Sequence, residues 1–407
     1  MFGYKILKAL VLICTVLPGI PSLSGQSESE VYLLDFTMVA GEFEVSSPIN
    51  ISRNPGYDNQ PSFLGEDDLL YARTRNGQTD IARYSLSKKI TAWLSETPGG
   101  SEYSPIKIPG SNAVSAIRLD MDGLQRLYSY PLEGGQPQLL IADLKIGYHL
   151  WYSPEILICT VLIEDRMDLV VVNLKDNSQY TFQKGVGRSL HRIPGSKRIS
   201  FTALEAGEIL VKSMDPESGS TAVLATLPAG VQDMFWLSDG TVICANGNRL
   251  LGYKPDKETQ WRILHTFPPE LGRITRMAPN PDGNKLALTI APDPSVPVDH
   301  QIYAFNSKDL ESYMKAFSDS VESYDFSIPD TPLCSGKKIL KKGTDIDFLT
   351  RGDARYEIIH RAVVGNKVVD HVNLVFTSTN GSAYQNYVAI YEVENGLISR
   401  ITYINRD

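Results

Sequence analysis

The sequence predicts an all-β propeller of six blades followed by a small α+β domain. Three observations predict it: an apolar hairpin pattern that recurs six times, the lack of helical periodicity between Tyr32 and Pro292, and a change of pattern after the stretch PDPSVP. A chain of 407 residues also exceeds the size at which one core stops growing, about 250 to 300 residues, so two unequal domains are expected. With 42% hydrophobic and 21% charged residues, the composition excludes disorder and a polytopic membrane protein. A net charge of -8, with no cluster of Lys and Arg, excludes a nucleic-acid surface.

The chain starts with a secretory pattern. Lys5 and Lys8 precede the apolar run Ala9 to Leu17, which Pro18, Gly19 and Pro21 break, and Ser22-Leu23-Ser24 offers small residues for cleavage. Residues 1–25 are therefore expected to be a signal peptide. The run is shorter than the roughly 20 residues a membrane span needs, so no transmembrane segment is expected after cleavage. Ile13 before Cys14 is unlike the small residue a lipid-attachment box requires. Cys159, in ILICTVLI, and Cys244, in TVICANG, read as small buried hydrophobes, and Cys334 leaves an odd number, so no disulfide is expected. With no CxxC or HExxH spacing, neither a metal nor another cofactor is expected.

Six segments align: NQPSFLGEDDLLYA, EYSPIKIPGSNAVSAI, YHLWYSPEILICTV, SLHRIPGSKRISFT, DMFWLSDGTVICAN and RMAPNPDGNKLALT. Their turn positions Gly65, Pro109, Ser153, Pro194, Ser238 and Pro281 are 44, 44, 41, 44 and 43 residues apart. That is the one-blade period of about 40 to 45 residues. Each unit has a short apolar strand, a Pro/Ser/Asp/Gly turn, a second apolar strand and then a third, such as DIARYSL, whose alternation puts Ile81 and its partners on one face. Asp239-Gly240 and Asp282-Gly283 are turn signals that call for glycine at positive φ. The sixth unit stops after its inner strands, and VYLLDFTMVAGEFEV near the N-terminus is expected to complete it, closing the ring and removing exposed edges.

The stretches NPGYDNQPSF, GQTDIARYSL, EYSP and NPDGNKLAL resemble the blade signature of TolB-like propellers with WD40-like, PD-type repeats. The resemblance covers about Val31 to Ala291, and the propeller is expected to span 29–292, followed by a linker at 293–299. Propeller ligands gather where loops run into the central channel. Tyr57, Asp58, Asn59, Glu102, Tyr103, His149, His191, Asp233 and Arg276 precede or begin the innermost strands and are the candidate channel residues, able to meet a peptide, a glycan or an ion.

Beyond the linker, HQIYAFNSKDLESYMKAF has helical spacing interrupted at Asn306-Ser307, which predicts one helix ending and a second capped near Ser307. Strand-like runs YEIIHRAVVG, KVVDHVNLVF, YQNYVAIYEV and LISRITYI follow, the last two joined by a turn at Glu394-Asn395-Gly396. The order of FNSKDLESYMKAFSDSVESYDF, CSGKKIL, HRAVVGNKVVDHV and VAIYEVENGLISRITYI resembles the SnoaL-like, nuclear transport factor 2-like superfamily. The resemblance implies that 300–407 forms an α+β cone with an apolar pocket.

It also places Asp325 where ketosteroid isomerase-like members carry their base, flanked by Tyr324 and Phe326, where desolvation would raise its pKa. The positions matching the family's oxyanion donors are Gln301 and Ala389 or Ile390, which depart from that pattern, so Tyr303, Tyr387 or His371 would have to donate instead. Of the neighbours Asp370 and His371 only one can face the pocket. His360 and Arg361 lie on the preceding strand.

These readings lead to an exported, periplasmic or envelope-associated binding or scaffold protein. Its propeller would hold a protein or saccharide partner, and its cone a small apolar ligand or a homodimer contact. The alternative is an isomerase, cyclase or hydrolase using Asp325 and His371 as acid and base. A propeller hydrolase is disfavoured, because no nucleophile motif accompanies the blades.

Overall fold

A computed structural model describes residues 28–39, 42–350, 353–378 and 381–404. The expected signal peptide, with Cys14, lies outside the described residues. Among them no helix is long and apolar enough to cross a membrane.

Residues 29–291 form six antiparallel sheets in a propeller-like arrangement. In sheets 1 to 5 the four strands follow one another from the axis outward. Their innermost strands are Asn59–Phe63, Ser101–Lys107, Ile146–Trp151, Val186–Arg192 and Met234–Trp236. Sheet 6 is assembled from both ends of this region. Arg273–Pro279 and Lys285–Ala291 supply its inner half, Glu30–Val39 pairs with Lys285–Ala291 from Glu30 opposite Ile290 to Asp35 opposite Lys285, and Glu42–Val45 forms the outer edge. The N-terminal strands thus complete the sixth unit as their sequence predicts. Ser29 then ties this sheet to sheet 1, its N–H donating to the Gly56 carbonyl and its carbonyl accepting from Asp58, both at 2.9 Å.

Apolar side chains fill each gap between consecutive sheets. Leu34, Phe36 and Leu288 of sheet 6 pack on Ile243 and Leu250 of sheet 5. On its other side Val31 and Ala287 pack on Leu69, Tyr71 and Ala82 of sheet 1. Such stacking alters the expected alternation in Gln78–Ser85: Thr79, Asp80, Ile81 and Ala82 are all buried, because the sheet is covered on both faces. Trp151 Nε1 donates to Ser115 Oγ across one gap and Trp236 Nε1 to Ser200 Oγ across another, both at 2.8 Å. Cys159 and Cys244 are buried among aliphatics as expected, and burial pushes both thiols up to about 12. Gly240 and Gly283 take φ of 84° and 69° at the two Asp-Gly turns.

The C-terminal part has its own core. Helix α1, Ser295–Asn306, begins within the proline-rich stretch, so 293–299 is not a linker but largely the first turns of a helix. Prolines fit there because first-turn N–H groups have no intrahelical partner. Helix α2, Leu310–Lys315, is capped by Asp309, whose side chain accepts from Ser312 N–H, rather than by Ser307, which closes α1. Helix α3, Lys337–Thr350, was not legible as a helix.

The six-stranded sheet runs Pro332–Ser335, Phe317–Asp325, Leu397–Ile404, Gly381–Glu394, Lys367–Ser378 and Arg355–Val364, with the second and third strands parallel. Asn395 and Gly396 adopt φ of 52° and 73° in the predicted turn. Phe305, Tyr313, Phe317, Val372, Tyr391 and Ile401 lie in one cluster between sheet and helices.

Two glycine substitutions test this packing. A Cβ at Gly187 would stand 2.3 Å from Oγ1 of buried Thr202, so Gly187→Ala should lose about 1 to 3 kcal/mol in urea unfolding. A Cβ at Gly343, in α3, meets nothing within 4 Å, and Gly343→Ala should gain about 0.5 to 1 kcal/mol.

Candidate functional site

The residue five positions before each repeat turn is Gln60, Ser104, Tyr148, Ser189, Asp233 or Arg276. All six line one cavity of about 240 Å³ on the propeller axis. Local backbone irregularity aims them there. Register shifts interrupt the pairing of five innermost strands, between Asn59 and Ser62, Tyr103 and Ile106, Ile146 and Tyr148, Val186 and Leu190, and Ile274 and Arg276. Bulges of this kind turn a side chain off the sheet face and recur beside binding sites. Gln60 and Ser104, each before a proline, take φ of 55° and 52°, and the Gln60 side-chain oxygen accepts from Ser104 N–H at 2.8 Å.

Charge is concentrated on one side. Asp233 accepts from Arg188 and faces Arg276 at 3.6 Å, while Arg276 donates to Tyr148 Oη at 3.1 Å. Burial works against the Arg276 charge, but Asp233, Tyr148 and Tyr57 outweigh it and keep the guanidinium protonated. Tyr57 stands by this group, edge-on to Tyr103 at 6.2 Å, and burial pushes its phenol up to about 12 despite Arg276, so it stays a hydrogen-bond donor. His191 packs on Phe235 at 3.9 Å, hydrogen-bonds Ser189 Oγ at 2.9 Å and is lowered by burial to about 4. His149 shares a 2.7 Å hydrogen bond with Ser115 Oγ and is lowered by burial to about 3. Both imidazoles are neutral at pH 7. Among the described residues no three His, Cys, Asp or Glu side chains gather as metal ligands.

Of the candidate residues, His149, His191, Asp233 and Arg276 line this cavity, and Tyr57 stands beside it. Asp58, Asn59 and Glu102 do not line it. Asp58 turns into the sheet, accepting from Asn54 at 3.0 Å and Thr74 N–H at 3.1 Å, and burial raises it to about 6. Asn59 donates to Ser29 Oγ at 3.2 Å. Glu102 is buried between sheets 1 and 2, accepting from Ser95 Oγ at 3.2 Å and Tyr130 Oη at 3.1 Å. These three lie six or seven residues before their turns, where the side chain faces the neighbouring strand. Gln60, Ser104, Tyr148, Arg188, Ser189 and Phe235 were missed, and the constant offset of five was the signal for four of them.

In the C-terminal domain, Asp370 and not His371 faces the core. Val368, Asp370, Val372 and Leu374 are buried in alternation, Asp370 fully, whereas His371 lies on the opposite face beside His360, with ring centroids 6.1 Å apart. Arg361 grips Asp370 through two hydrogen bonds of 2.6 and 2.7 Å and also holds Asp299 of α1. Asp325 accepts from Ser327 N–H and Oγ, which hold its carboxyl below the ordinary value, opposite to what a general base needs. Tyr303 is 74% exposed. Tyr324 donates to Glu322 at 2.6 Å beneath Arg400. Tyr387 is buried against Tyr403 at 5.7 Å, and Gln301 Nε2 donates to Tyr391 Oη at 3.3 Å. Phe305, Tyr313, Phe317, Tyr387 and Tyr391 are buried in the core of this domain.

No protein-family profile and no curated protein matches the chain. Among solved structures, a protein described as TolB from Agrobacterium tumefaciens superimposes on 65% of this chain and 98% of its own, with a TM-score of 0.51 and 14% identity. A cystatin-fold protein from Novosphingobium aromaticivorans covers 28% of this chain and 97% of its own at 22% identity and a TM-score of 0.25. An NTF2-like protein of unknown function from Cytophaga hutchinsonii covers 27% and 88% at 15% identity and a TM-score of 0.23. The first of these likenesses shows a propeller fold.

Burial, and next to it the Asp80 carboxyl, push Glu102 up to about 7 from an ordinary 4.5, outweighing Thr97 and Tyr130. A raised carboxyl contributes stability that is fully present below pH 4.5 and is lost as pH rises through about 7. Glu102→Gln, neutral at every pH, should therefore become progressively more stable than the native chain between pH 4.5 and 8, by about 2 to 3 kcal/mol at the upper end. Thermal melts of the two proteins across that range would show it, and parallel curves would refute it.

Proposed function

We propose that the protein is an exported envelope binding protein: a six-bladed TolB-like propeller spanning 29–292 whose axial channel receives a ligand, joined to a SnoaL-like, nuclear transport factor 2-like cone. The observation that carries this reading is the convergence of one polar side chain from each of six sheets on a single cavity. Scattered surface polarity would not repeat at a constant sequence offset. The likeness of fold to TolB supports the propeller assignment, and the basic, apolar, then small-residue order of residues 1–25 supports export. A protein terminus or a saccharide end is the kind of partner that such a channel mouth admits. Against the acid–base alternative, Ser327 holds the Asp325 carboxyl below its ordinary value and His371 lies on the strand face opposite the buried residues.

Native mass spectrometry of the protein purified from envelope extract tests this. The mature chain should begin near Ser24 to Gln26 and carry an adduct that Arg276→Ala loses and that Asp325→Asn and His371→Ala keep. An adduct indifferent to Arg276 and lost with Asp325 or His371 would move the site to the cone.

A further inference from the structure

The channel runs into a second cavity of about 340 Å³, which shares Arg188, Asp233 and Arg276 with the first and adds Arg273. Across the two, three guanidinium groups meet a single lining carboxylate, Asp233, and His149 and His191 are neutral, while Arg273 also borders a further cavity with Glu28 and Glu394. This occurs in a chain whose net charge is -8. Nε of Arg188 and Nε of Arg273 are both buried without a hydrogen-bond partner among the described residues. Leaving a charged donor desolvated and unpaired costs more than the hydrogen bond it would make, so such donors mark a place where an acceptor belongs. Leu150, Leu190, Phe235 and Met277 supply an apolar part of the wall beside Gln60, Ser104 and Ser189.

We infer that the channel binds a monoanionic carboxylate carrying an apolar group, with Arg188 and Arg276 at the carboxylate, Arg273 drawing it in from the second cavity, and Phe235 and Met277 covering the apolar part. This rests on the ligand-binding reading above. The planar guanidinium fork matches a carboxylate with two parallel donors, and a low-dielectric tunnel of one sign focuses the field on an incoming anion. Asp233 narrows the class to a single negative charge, because a dianion seated between the two arginines would also face this fixed carboxylate. The same chemistry is found on a free small acid and on the C-terminal residue of a partner chain.

Calorimetry on the full mature protein at low salt separates the cases. The probes are phenylacetate, its neutral analogue phenylacetamide, phenyl phosphate, and a pentapeptide ending in Phe as free acid or amide. Phenylacetate or the free-acid peptide should bind at least tenfold more tightly than the matching amide, and more tightly than phenyl phosphate. Preference between those two acids assigns the source. Arg273→Met, which keeps most of the side-chain bulk and removes the charge, should weaken the acid about fivefold to tenfold, and Arg188→Met should abolish it. Equal binding of acid and amide would leave a ligand channel but overturn the carboxylate assignment. A tighter phenyl phosphate, no binding of either acid, or affinity unchanged in Arg273→Met would overturn it as well.

Discussion

The pairing of Glu30–Val39 with Lys285–Ala291 is the constraint on which the rest of the propeller depends. Five sheets in this chain are each made of consecutive strands, and any of them could be built without reference to the ends. The sixth cannot, because its two halves lie some 250 residues apart and meet only when the other five have brought them together. Closing so long a loop costs conformational entropy that grows only slowly with length. The return is large, since the same strand buries Leu34 and Phe36 against sheet 5 and Val31 against sheet 1. Every apolar gap is then covered on both sides, which is why the central strands carry so few surface positions.

A closed ring also fixes what the axis contains. Inner strands that were regular would point their side chains into the gaps between sheets, where apolar residues belong. Register shifts in five of them lift one residue per sheet out of that pattern and toward the axis. The outcome is a polar lining on an apolar scaffold. Its charge is unlike the surface: the chain as a whole is acidic, while the channel holds Arg188, Arg273 and Arg276 against Asp233 alone.

Much of the architecture was legible because repeats and closure are properties of spacing. The six turns, the completion of sheet 6 by the N-terminal run and the four long strands of the cone could all be read from apolar periodicity. What could not be read was direction. Asp58 and Glu102 stand two residues before channel-lining Gln60 and Ser104, where the alternation of a regular strand would give both one face; register shifts break it there and leave the two carboxylates turned into the neighbouring strand. Regular alternation separates Asp370, gripped by Arg361 in the core, from His371 on the outer face. Two helical features were hidden for another reason. Prolines at 294 and 297 signal a break, although first-turn positions tolerate them, and Gly343 with scattered polar residues masks α3.

Hydrogen exchange on a chain carrying Leu34→Pro tests the closure most directly. Leu34 pairs with Leu286, and proline there removes one N–H from the ladder while leaving the rest of the sequence intact. If closure by this strand holds the ring, amides of sheets 1 and 5 should lose protection together with those of sheet 6, while Leu397–Ile404 in the cone keeps its own. Faster exchange confined to Glu30–Val39, with its neighbours unchanged, would contradict the account.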